Sequence, residues 1–100
     1  MPTMGTAPQT TDVDTVLAER RSRYGPFVGH AKVTQDLKHT IACELEARGK
    51  IISDDQQEAL DMICHKIGRI VNGDPNYADS WIDIAGYAKL VSDRLEGKTR

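Results

Sequence analysis

The sequence predicts a small all-α bundle of three long helices and one short N-terminal helix, preceded by a disordered N-terminal tail. Apolar residues recur at three- and four-residue spacing rather than in alternation, which is the helical period. The apolar segments are bounded by capping residues and by Gly or Pro stops, and no internal repeat is present. One hundred residues make a single domain able to bury roughly two thirds of its surface. We place the tail at 1–11 and the helical domain at 12–97.

The opening stretch "MPTMGTAPQTT" holds two Pro, one Gly and four Thr with little to bury, hence the tail. Thr11 with Asp14 three residues on makes a capping-box variant, and a short helix follows through Val13, Val16 and Leu17. "YGPF" closes it, because Gly25-Pro26 cannot continue a helix. The second helix is expected over Val28 to Arg48, with Gly49 in the left-handed closing position. Its stripe is Phe27, Ala31, Thr34, Leu37 or Lys38, Ile41 and Leu45, with Thr34 and Lys38 weakening one edge. The third helix starts at Ser53, which forms a capping box with Gln56, and stops at Gly73. Leu60, Ile63, Cys64, Ile67, Ile70 and Val71 share one face of it, within about 120° at 100° per residue. Glu58, Asp61, His65, Arg69 and Asn72 take the other. "GDPNYA" is a corner, and a fourth helix runs from Ala78 or Asp79 to Glu96. Trp81, Ile84, Ala85, Ala88, Val91 and Leu95 form its apolar stripe, expected to be core.

The side of this last helix away from the stripe is unusual. Asp79, Asp83, Tyr87, Leu90 and Arg94 lie within about 80° of one another, with Gly86 beside them. A solvated back face carries Lys, Glu and Gln, whereas aromatic residues mixed with Arg and carboxylates mark interface centres. Gly86, costly inside a helix, suggests that another backbone comes close.

Bulk properties narrow the function classes. A net charge of −2 argues against a general nucleic-acid binder and equally against an all-over imitation of DNA. Cys43 and Cys64 form no CxxC pair, and His30, His39 and His65 are scattered as surface or capping residues. No signal peptide or membrane span is visible, so a cytoplasmic, soluble chain with reduced thiols is expected. No nucleophile constellation or phosphate-binding glycine loop is present, and Cys64 and His65 point about 100° apart on a helix. No cofactor, metal or catalytic residue is therefore expected.

Two resemblances bear on function. The pairs Glu58/Asp61 and Asp79/Asp83 partly resemble the ExxE…ExxD carboxylates by which all-α nucleoside triphosphate pyrophosphohydrolases hold magnesium, with Lys66 and Arg69 as phosphate contacts. The first pair ends in Asp and the second has spacing four, so the pattern departs from that family's. "RYGPF" together with "HKIGRIVNGDPNYADSWIDIAGYAKL" resembles a family of short phage and prophage proteins, and the chain is similar to type I-F anti-CRISPR proteins. That resemblance implies an inhibitor without catalysis, which binds subunits of the host's RNA-guided surveillance complex, blocks target-DNA binding and touches neither nucleic acid nor membrane itself. Placing the contact surface by helix faces selects Glu58, Asp61, Asp74, Asp79 and Asp83 as stand-ins for phosphate. Tyr77, Trp81 or Tyr87 serves as the aromatic anchor.

Overall fold

The computed structural model describes residues 3–99, with side chains described from 12 onward. Four helices follow in chain order: α1 (Thr3–Tyr24), α2 (Phe27–Ala47), α3 (Asp54–Asn72) and α4 (Ala78–Leu95). No strand occurs among the described residues, in agreement with the all-α expectation. The expected tail falls largely on residues whose side chains lie outside the described ones. α1 begins before Thr11, so that residue stands inside the helix rather than capping it.

Local chemistry sets most of the boundaries. α2 and α4 end in the same way, with Gly49 at φ +64° and Gly97 at φ +84° taking the left-handed position. The amides of Gly49 and Lys50 bond back to the carbonyls of Glu46 and Leu45, and those of Gly97 and Lys98 to Arg94 and Asp93. These are paired Schellman closures that satisfy the last carbonyls of each helix. At the start of α3 the Ser53 amide donates to Gln56 Oε1 at 2.9 Å. Asp55 beside it receives the Arg94 fork from the far end of α4 at 2.7 and 2.8 Å.

α3 is the centre of the molecule, packed by α2 on one side and α4 on the other. α2 and α4 make no close backbone approach to each other among the described residues. The three helices therefore lie side by side as one layer, not wrapped around a closed core. α1 touches α3 and α2 and crosses the polar face of α3 near its C-terminal end. The molecule is elongated, 59 × 31 × 27 Å.

Three expectations about packing need correction. The α4 residues turned toward α3 are Ser80, which is buried, and Ile84, Tyr87 and Val91, which are half-buried. Trp81, Ala85, Ala88 and Leu95, expected in the core, are exposed, Trp81 by 55% and Leu95 by 60%. The packed face thus shares Ile84 and Val91 with the apolar stripe but is rotated about 60° from its centre. His30, expected at the surface, is buried: its Nε2–H donates to the His65 carbonyl at 2.9 Å and its ring meets that of His65 edge-on at 4.5 Å. Finally, nothing among the described residues lies within 4 Å of where a Gly86 side chain would begin, so no described backbone uses that gap.

Candidate functional site: a corner and an arginine-lined cleft

The segments "RYGPF" and "NGDPNYADSW", far apart in sequence, meet at one end of the layer. Both amide hydrogens of Asn72 are spent on this joint, donated at 2.8 Å to the carbonyls of Tyr24 and Pro26. The Asp74 amide donates to the Arg23 carbonyl at 2.6 Å. Gly25 stands at φ +76°, and a Cβ there would collide with the Asn72 carbonyl; one on Gly73 would collide with the backbone of Arg23 and Tyr24. Two glycines face each other across the joint because two backbones touch there. The turn that follows is self-supporting. Asp74 Oδ1 accepts the Asn76 amide at 2.9 Å, and Trp81 Nε1–H donates to the Pro75 carbonyl at 2.9 Å.

Aromatic and arginine side chains stack on this joint. The Arg69 guanidinium sits 4.0 Å over the Tyr24 ring and the Arg23 guanidinium 5.0 Å over the Tyr77 ring, with the two Tyr rings edge-to-face at 6.1 Å. Such cation–π contacts hold a guanidinium in place without neutralising it. Beside the stack opens a cleft of about 450 Å³ lined by Leu17, Arg20, Arg21, Tyr24, Phe27 and, deeper, His30, His65 and Arg69. No carboxylate lines it. Arg20, Arg21, Arg23 and Arg69 have no acidic partner among the described residues, whereas Arg48 and Arg94 each have one. Among the described residues, four arginines outside any ion pair thus gather at one end of a chain whose net charge is −2. Burial pushes His65 down to about 4, and His30 and Arg69 beside it act in the same direction. The cleft therefore presents a neutral imidazole and fixed guanidinium charge.

The residues expected to face a partner are dispersed. Glu58 is exposed, and Asp61 accepts a bond from Gln57 at 3.0 Å. Asp74 is spent on its own turn, and Tyr77 Oη–H donates to Asp79 at 2.9 Å, which raises the Tyr77 pKa. Asp83 pairs with the buried Lys66 at 3.0 Å, so Lys66 is occupied within the fold and not a free phosphate contact. Tyr87 is half-buried toward α3. The structure brings Asp74, Tyr77 and Asp79 together at the corner and leaves Glu58, Asp61, Asp83 and Tyr87 apart. Among the described residues no three His, Cys, Asp or Glu side chains gather as a metal site would require. Cys43 is exposed and Cys64 buried, where desolvation raises its thiol.

Residues 10–95 match a family described as a domain of unknown function, DUF6378. The chain belongs to that family. No curated protein and no solved structure matches it. The DUF6378 span takes in the corner, the cleft and all of α2, α3 and α4. Sequence reasoning missed most of the cleft. Its one local signal is "ERRSRYGPF", where arginines at helical spacing precede a Tyr and a chain-reversing Gly-Pro.

Proposed function

We propose that this protein works by recognition, as an inhibitor without catalysis that binds the type I-F RNA-guided surveillance complex of a bacterial host and keeps target DNA from being bound. The identity of the partner comes from the resemblance of its two motifs. One structural observation supports a recognition role: Glu58 is exposed, and Asp61, Asp74, Asp79 and Asp83 are each held by a different neighbour, so the five do not converge on a common point. Separated carboxylates suit a surface that meets several Lys or Arg side chains. The corner trio of Asp74, Tyr77 and Asp79 is the patch assigned to contact, with Glu58 and Asp61 as further acidic positions.

The test is co-elution with a purified type I-F complex, together with a mobility-shift assay of target-DNA binding. The expected result is a stable complex and lost DNA binding, both weakened at least tenfold by Asp79→Asn combined with Glu58→Gln. Free DNA binding in the presence of excess inhibitor overturns the proposal.

A second reading is a nucleotide-binding protein, supported by the cleft. Unpaired guanidinium groups beside Tyr24 and Phe27 match a phosphate and a planar ring in one ligand, and the volume suits a mononucleotide. Calorimetry with a nucleotide panel and with pyrophosphate tests it. Binding that weakens with salt and is lost in Arg20→Gln/Arg21→Gln supports this reading, and silence across the panel removes it. The separated carboxylates lend no support to the magnesium arrangement of the pyrophosphohydrolases.

A further inference from the structure

Domains bury apolar surface between two packed layers, and this chain supplies one. α3 has α2 and α4 on opposite sides, leaving two broad faces. α1 crosses the polar one, where His65, Arg69 and Asn72 meet Leu17 and Tyr24. The other face is apolar and bare. On α3 it presents Leu60, Ile63 and Ile67, half-buried, and Val71, 65% exposed. On α4 it presents Trp81, Ala85, Ala88 and Leu95, the exposed part of the stripe that periodicity marks as core, about 85° round from the residues that pack on α3. Between them runs a groove of about 390 Å³ lined by Ile52, Leu60, Ile63, Ala88, Val91 and Leu95.

We propose that a second copy of this chain docks in that groove, so that two α3–α4 pairs pack face to face as a four-helix bundle about a two-fold axis. Three observations select a copy over another occupant. First, no charged side chain lines the groove, so placing it against itself opposes no like charges. Second, the exposed surface fits an interface: on this face Val71 and Leu95 stand 65% and 60% exposed, with Ala88 and Ser92 open beside them. Third, Ala59 and Cys64 are the only buried apolar side chains among the described residues. A chain without its own core needs its missing layer whenever it is made, and only its own copy is always present in equal amount. This inference is independent of the partner proposed above.

Sedimentation velocity and thermal melting of the full chain from about 1 to 100 µM test it. The expected result is a species of twice the chain mass, with a melting temperature that rises with concentration. Ala88→Arg, at an exposed position on the groove, weakens self-association at least 100-fold. Val28→Arg, exposed on α2, leaves it unchanged. Ser92→Lys, on the same groove, repeats the comparison if Ala88→Arg does not fold. A monomer with a cooperative, concentration-independent melt overturns the proposal. So does a dimer that survives both groove substitutions, or a monomer that fills the groove only with a different protein.

Discussion

The two ends of the α3–α4 pair are built on opposite plans. At the corner, backbone meets backbone: Asn72 spends both its amide hydrogens, two glycines make room, and rings and guanidiniums stack over the joint. Along the groove, apolar side chains of both helices stop at solvent. The corner is complete within one chain and the groove is not. The contrast teaches that fixed geometry and buried area are separate resources, and this fold concentrates the first at one end and leaves the second to be completed.

Substitutions can break or sharpen that contrast. The largest effect is expected from Gly25→Ala, which forces a Cβ into a left-handed position against the Asn72 carbonyl. A loss of roughly 3 kcal/mol or more in denaturant unfolding is expected. Asn72→Ala comes next, removing the donor to two carbonyls at once, at about 1–3 kcal/mol by the same measurement. Asp83→Ala should cost about 1–2 kcal/mol, because it strands the buried Lys66 ammonium while its own carboxylate is half-exposed and partly screened. If these corner and seam changes cost no more than Leu95→Ala at the groove, the contrast is wrong.

The pH dependence follows from His65. Its folded-state value lies near 4, below the 6.5 of the free group, so the folded protein takes up its proton less readily than the unfolded chain. The stabilisation is fully present above pH 6.5 and is lost as pH falls from there toward 4. A urea midpoint that drops over this window in the wild type, and drops less in His65→Gln, is the expected pattern. Asp55, held near 2 by Arg94 and Ser53, adds a second loss as pH falls from 3.8 toward 2. The smallest effect is a gain. Gly86→Ala meets empty space inside a helix and should stabilise by about 0.5–1 kcal/mol.

Local signals carried the elements, and distant contacts carried the rest. Gly49, Gly97 and the Ser53–Gln56 box mark their helix ends from sequence because each acts within one turn. The direction in which α4 faces α3 was not legible. Periodicity marks the whole apolar surface of a helix, whether a neighbouring helix or a further layer covers it. Asp83 and Tyr87 therefore read as a back face, although Asp83 reaches Lys66 and Tyr87 turns toward α3, and the buried Ser80 drew no reading. Gly86, read as room for a neighbour, stands open for the same reason. His30 gave no local sign of burial, since its partner is a carbonyl 35 residues away. Of the candidate site, the corner was visible as the quoted motifs. The cleft was not, because it exists only where α1 and α3 come together.

The reach of Asn72 also orders events in time. Its two acceptors flank Gly25, so the bonds close only after the C-terminal turn of α3 and the bend between α1 and α2 have both taken shape. The contacts of α2 with α3 and of α3 with α4 join sequential helices through short connections, and such contacts form early. We expect the closure across 48 residues to come late in folding, and the kinetics of Asn72→Ala check it: the substitution should speed unfolding and leave the folding rate nearly unchanged.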